Sequence, residues 1–231
     1  MNTRLLNFEA ISGGYGSTIV VRSISGIVEA GKTLCVLGRN GVGKTTLMRM
    51  LSGHLPLADG HIEFAGVDIG NDAPHQRRQR GLIYCPQDRP VFDNLTVKDN
   101  LTLSAGDVTL KRYDPFFAAF PILERRLRQL AGTLSGGERK MLSFVRGLSE
   151  EGPLLLLDEP SEGVQHENIA LMADFIAQAK AAGRGLLIVE QNLAFALQVA
   201  DTILVMDHGE TVLEGRAGQI TQQQILTHMH V

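Results

Sequence analysis

An α/β fold is expected for this 231-residue chain: a mostly parallel sheet covered by helices, an N-terminal antiparallel β layer and a small helical subdomain. Three patterns carry the expectation. Short apolar runs at 153–157, 186–189 and 203–206 alternate with helical periodicity at 167–182 and 193–200, as parallel strands joined by crossover helices do. Residues 4–30 alternate apolar with polar, as antiparallel strands with one solvated face do. Between 88 and 133 the pattern breaks into helical pieces separated by Pro90, Gly106, Pro115 and Pro121.

The elements follow in order. Two strands at 5–11 and 18–28 flank Ser12-Gly-Gly-Tyr-Gly16, read as a glycine-rich turn. Residues 34–37 form a buried strand, and 45–51, with apolar Leu47, Met48 and Leu51, a helix. Residues 56–60 form a turn and 61–64 a strand, with 65–70 a further turn and strand edge of the same antiparallel layer. Residues 81–85 are a buried strand closed by Pro86-Gln87. A helix starts at Ser135, because Met141, Leu142, Val145 and Leu148 fall at helical spacing and Ser135-Gly-Gly-Glu138 has the form of a capping box. No internal repeat, low-complexity segment or linker-like break interrupts the chain.

The glycines between the strand at 34–37 and the helix at 45–51 have the spacing of a phosphate-binding P-loop, Gly38-x-x-x-x-Gly43-Lys44-Thr45. At a strand-to-helix turn, Gly38, Gly41 and Gly43 let backbone N–H groups turn toward a phosphate, and the helix N-terminus adds its dipole. Lys44 supplies a point charge and the Thr45 hydroxyl a ligand for Mg²⁺. The loop as a whole, with Arg39, Asn40 and Thr46, is assigned to nucleotide. A second motif, Leu154-Leu-Leu-Leu-Asp158-Glu159-Pro160, brings two acids to the C-terminal end of an apolar strand, where open α/β sheets bind their ligands. Asp158 suits Mg²⁺, directly or through water, and Glu159 suits polarisation of the water that attacks the γ-phosphate. The chain is then a single domain, 1–231, with a P-loop NTPase core at 1–87 and 153–231 and the helical subdomain at 88–152.

Composition excludes several classes. The chain is 44% hydrophobic, enough for a full core, and no apolar run is long enough for a membrane span or signal peptide, so a soluble, cytosolic protein is expected. With 22 Lys and Arg against 25 Asp and Glu the net charge is −3, and the clearest basic cluster, Arg77-Arg78-Gln79-Arg80, is short, so nucleic acid is a poor partner. Cys35 and Cys85 lie in apolar runs without metal-type spacing, as buried reduced thiols do. His228 and His230 are read as solvated tail residues.

The P-loop at 38–45, Gln87, Leu134-Ser-Gly-Gly-Glu138 and 154–160 occur in the order and spacing of an ABC-transporter ATPase subunit, and the chain resembles that family over nearly its whole length. The resemblance implies ATP and Mg²⁺ as ligands and a head-to-tail dimer, in which each ATP lies between one P-loop and the signature motif of the other subunit. It implies that Ser135, Gly136, Gly137 and Glu138 contact that nucleotide, that Tyr15 stacks on adenine, and that Gln87 touches Mg²⁺ and the attacking water. The switch position, usually His, is Gln191 here. The signature ends in Glu138 where Gln is usual, and Pro160-Ser-Glu-Gly-Val-Gln165 lacks a common aspartate. Ser-Glu-Gly after the acids and Val189-Glu-Gln-Asn192 resemble ATPase subunits of importers for branched-chain amino acids, urea and related short amides; Gly38-Arg-Asn-Gly-Val-Gly43 leans toward the urea branch.

The function expected from this resemblance is ATP hydrolysis in such an importer. The implied partners are integral membrane permease subunits, a second ATPase subunit (self or sister) and, indirectly, a solute-binding protein, with the chain cytoplasmic and peripheral on the inner face of the cell membrane. Two alternatives compete: the ATPase of a lipid or lipopolysaccharide export system, expected to carry His at 191, and a non-transport ABC ATPase acting on ribosomes or DNA.

Overall fold

The computed structural model describes residues 4–103 and 109–229. In chain order, β1 (Arg4–Tyr15) and β2 (Thr18–Glu29) form a hairpin, and β3 (Thr33–Leu37) leads through the glycine loop into α1 (Lys44–Leu51). Next come β4 (Asp59–Phe64), β5 (Val67–Asp68), α2 (Pro74–Gln79) and β6 (Leu82–Cys85). Short helices α3 (Val97–Thr102), α4 (Asp114–Ala119) and α5 (Pro121–Arg125) precede α6 (Gly136–Ser149). The chain then alternates β7 (Leu154–Asp158), α7 (His166–Ala181), β8 (Gly185–Glu190), α8 (Leu193–Val199) and β9 (Thr202–Asp207), and closes with β10 (Glu210–Arg216) and α9 (Gln222–Met229).

Six strands form the main sheet in the order β10-β9-β3-β8-β7-β6. All pair in parallel except β10, which runs antiparallel along one edge. A second, antiparallel sheet has the order β2-β1-β4-β5. The strands of the main sheet are apolar at consecutive positions because both faces are covered. Leu34, Val36, Leu154, Leu156, Leu187 and Val189 pack with α1 and the antiparallel layer. Their neighbours Cys35, Leu37, Leu155, Leu157, Leu186 and Ile188 pack on the opposite face with α3 and α6 to α8. The period of two along each strand thus divides the core into two clusters.

The glycine-rich segment at 12–16 is not a turn. β1 continues to Tyr15, and the reversal is confined to Gly16 and Ser17, with Tyr15 paired to Thr18. Gly14 is needed inside the hairpin, because a Cβ there would lie 2.0 Å from the Thr18 carbonyl oxygen. β10, α2 and α9 had no counterpart in the sequence reading.

The basic cluster at 77–80 is structural. Arg77 is 1% exposed, and its guanidinium donates to the carbonyls of Met50, Leu51, Gly70 and Asp72. Burial lowers its pKa to about 10, so it stays charged at neutral pH. Arg78 pairs with Glu150 and Arg80 with Asp72. Both cysteines are free and buried, and burial raises both thiols. His228 is exposed on α9, and His230 lies outside the described residues. Among the described residues no helix is long and apolar enough to cross a membrane.

Candidate functional site

Four strands of the parallel sheet end at one edge, and each is followed by part of the predicted site. β3 delivers the glycine loop, β6 Gln87, β7 Asp158 and Glu159, and β8 Gln191. Gly41 and Gly43 have φ of 83° and 107°, a region that L side chains rarely adopt, which lets the loop fold back before α1 starts at Lys44. A cleft of about 340 Å³ opens there, lined among others by Tyr15, Asn40, Gly43, Thr45, Gln87 and Glu159. Gly41, Lys44 and Thr46 also line it, and so does Arg49, which donates to Tyr15 Oη at 3.0 Å.

Lys44 is 4% exposed and makes three contacts. It donates to the carbonyls of Gly38 at 2.8 Å and Arg39 at 2.9 Å, and it forms an ion pair with Glu159 Oε1 at 3.0 Å. Arg39 contributes this carbonyl while the residue itself is exposed. The other Glu159 oxygen, Oε2, accepts from Gln87 Nε2 and from Gln191 Nε2, each at 2.9 Å. Glu159 sits at φ 48°, an uncommon conformation for a residue with a side chain, and so carries backbone strain at the centre of this cluster.

Side-chain alternation turns Asp158 toward α1. Thr45 Oγ1 lies 3.3 Å from Asp158 Oδ1 and 3.2 Å from Gln87 Oε1, and Tyr84 Oη donates to Asp158 Oδ2 at 3.2 Å. One hydroxyl proton cannot serve both oxygens that approach Thr45, so the three oxygens form a small hard-donor cluster with a deficit of positive charge. That donor set fits Mg²⁺. Burial raises the Asp158 carboxyl to about 6, against the pull of the Tyr84 and Thr45 hydroxyls.

Ser135, Gly136, Gly137 and Glu138 lie elsewhere. Ser135 caps α6: its Oγ accepts from Glu138 N at 3.3 Å, and Glu138 Oε2 accepts from Ser135 N at 2.8 Å, closing the expected capping box. Ser135, Gly137 and Glu138 line a different hollow, of about 470 Å³, with residues of α5 and of the loop after β7. The two halves of the predicted nucleotide site are therefore not joined within one chain.

Three further residues belong to the cluster and were not singled out from sequence. Lys140 of α6 donates to the Glu159 carbonyl at 3.1 Å and pairs with Glu162 at 3.4 Å. Tyr84 holds Asp158. Glu190, 2% exposed, accepts from the backbone N–H groups of Ser161, Gln191 and Asn192, and burial raises its carboxyl against those bonds and one from the Ser161 side chain. Two signals point to Glu190 in the sequence: a charge ending an otherwise apolar strand, and its place in Val189-Glu-Gln-Asn192. Gln191 does not cap the helix that follows it; Asn192 does, accepting from Phe195 N at 3.2 Å.

Residues 21–162 match the profile that describes the ABC transporter family. Over 213 residues the chain is 34% identical to the high-affinity branched-chain amino acid transport ATP-binding protein BraG of Pseudomonas aeruginosa, covering 90% of this chain and 91% of BraG. It is 30% identical over 225 residues to a probable branched-chain amino acid transport ATP-binding protein LivF of Archaeoglobus fulgidus, covering 95% of each. It is also 30% identical over 234 residues to the lipopolysaccharide export system ATP-binding protein LptB of Haemophilus influenzae, covering 98% of this chain and 97% of LptB. A solved ATP-binding subunit of an ABC transporter superposes with a TM-score of 0.82 at 27% identity, covering 95% of this chain and 92% of that one.

Proposed function

The chain belongs to the ABC transporter family as an ATP-binding subunit and ATPase, and from that membership we propose that it drives an importer for branched-chain amino acids, urea or related small amides. The observation that carries the importer reading is Gln191 at the switch position, hydrogen-bonded to Glu159, together with the likeness to BraG and LivF. The likeness to LptB supports the export alternative, but an export ATPase is expected to present histidine at 191.

In this reading the P-loop amides and Lys44 bind the triphosphate, with Lys44 exchanging the Gly38 and Arg39 carbonyls for phosphate oxygens. Tyr15, exposed beside the cleft, stacks on the base. Thr45, Gln87 and Asp158 would hold Mg²⁺, which when bound neutralises charge developing on the β- and γ-phosphate oxygens. Glu159 takes a proton from the attacking water. Gln87 and Gln191 hold its Oε2 and so direct the remaining lone pairs. Ser135, Gly136, Gly137 and Glu138 act on the nucleotide of a second ATPase subunit, because they lie outside the cleft of their own chain. The chain sits at the inner face of the membrane on its permease subunits, through which it acts indirectly with a solute-binding protein.

Two measurements test the proposal. Glu159→Gln keeps the shape and loses the base, so ATP binding is retained while turnover falls by about a hundredfold or more; near wild-type hydrolysis refutes the role of Glu159. Affinity purification from membranes should recover permease and solute-binding subunits of an amide or amino-acid importer. Recovery of lipopolysaccharide-export permeases, or of ribosomes, replaces this reading with one of the alternatives.

A further inference from the structure

Glu190 ends a strand that is buried along its whole length. Its two oxygens face two different loops. Oε1 accepts from Ser161 N at 2.9 Å, in the loop after β7, and Oε2 accepts from Gln191 N at 3.1 Å and Asn192 N at 3.2 Å, in the loop after β8. Three of these donors are main-chain N–H groups, so the contact fixes the backbones of both loops, and the Ser161 side chain adds a further bond to the same carboxylate. The Glu159–Gln191 hydrogen bond of 2.9 Å spans the same two loops, with one end on each.

We infer that Glu190 is a positioning residue for hydrolysis, a latch that locks the loop after β7 to the loop after β8 and thereby keeps Gln191 in register with Glu159. The inference rests on the proposed roles of Glu159 and Gln191. A main-chain bond from Glu159 N to the Val189 carbonyl at 3.0 Å joins the ends of β7 and β8, and beyond it both loops offer N–H donors that need an acceptor between them. A carboxylate is the side chain with enough lone pairs for three donors, and glutamate at the strand end has the reach. Replacement by an apolar residue of similar shape would leave the Ser161 N–H buried without a partner. The geometry also ties Gln191 to the loop that continues through Glu162 and Gly163 to the hollow beside Ser135, so any displacement of that loop is felt at the Glu159 carboxylate.

Glu190→Gln and Glu190→Asp separate charge from reach. Glutamine keeps the length but presents an NH₂ to at least one N–H, while aspartate keeps the charge and withdraws it by about one bond length. Hydrogen exchange of the full-length protein without nucleotide reads the latch directly: in both variants, peptides covering 159–163 and 190–193 should exchange about tenfold faster or more, with β3 and α1 unchanged. Turnover should fall about tenfold with affinity for a fluorescent ATP analogue within about threefold of wild type. Gln191→Ala should then cost less than about twofold in a Glu190→Asp background, against about tenfold alone, because the contact it removes is already misplaced.

Unchanged exchange at 159–163, or an equal cost of Gln191→Ala in both backgrounds, overturns the latch. If Glu190→Gln does not fold, Glu190→Asp carries the same readouts. An inactive wild type would remove the hydrolysis reading alone, because the exchange comparison decides the latch without turnover.

Discussion

Lys44 and Glu159 form an ion pair between side chains only 4% and 3% exposed, so each neutralises the other where water cannot. Removing one member strands its partner's charge. Lys44→Ala should therefore lower the stability of the nucleotide-free protein by about 3 kcal/mol, in addition to losing ATP affinity. Lys44→Ala combined with Glu159→Gln should recover at least half of that loss, since no unpaired charge remains. Urea denaturation of the two variants, with nucleotide binding followed in parallel, checks both statements; a double variant no more stable than Lys44→Ala would show that the pair does not carry the effect. Most of this cluster was legible because its members sit at the ends of apolar runs or inside a spaced glycine motif. Tyr84 and Lys140 were not, because each looks like an ordinary strand or helix residue and meets its partner only through folding, Tyr84 with Asp158 across 74 positions and Lys140 with Glu159 across 19.

Helix α1 ends at Leu51, and the carbonyls of Met50 and Leu51 are completed by the guanidinium of Arg77 from α2. A buried planar fork with carbonyls on several sides is a geometry that lysine cannot copy. Arg77→Lys and Arg77→Ala should both destabilise the protein by about 2–3 kcal/mol in urea, with the lysine variant closer to alanine than to wild type. Asp201 does comparable work at the opposite end of the sheet, accepting from Thr33 N, Lys32 and Lys180. Burial alone would raise its carboxyl, and the bonds from Lys180, Thr33 N–H and Lys32 outweigh it and hold the pKa below the usual value. A depressed carboxylate contributes stability that is complete above the unfolded-state pKa, about 4, and is lost as pH falls through the folded-state value. Asp201→Asn should thus cost about 1 kcal/mol at pH 7, a modest figure because Lys32 is largely solvated. The difference should shrink below about pH 4. A cost that stays constant down to pH 3 would assign it to packing. At this scale the sequence was readable wherever apolar periodicity ran for several residues. β10 escaped because it is mainly exposed along the edge, and α2 because six residues are too short to show a period.

The cleft at Lys44 and the hollow beside the capped helix α6 are separate, and under the proposed arrangement in trans each is half of a site. Mixing subunits that carry Ser135→Arg with subunits that carry Lys44→Ala produces dimers in which one composite site has both parts intact. Those dimers should regain measurable ATPase activity that neither variant shows alone. No recovery, with subunit exchange established independently, would count against catalysis in trans. The main sheet, finally, separates two packed clusters, one holding α1 and the antiparallel layer and the other the short helices with α6 to α8. Side chains on opposite faces of such a wall adjust to separate neighbours, so changes on the two sides combine with little mutual penalty. A core change among the short helices should therefore leave the packing of α1 and the antiparallel layer almost untouched, and the two faces can be altered one at a time; α6 is the exception, because Lys140 on it reaches the Glu159 carbonyl.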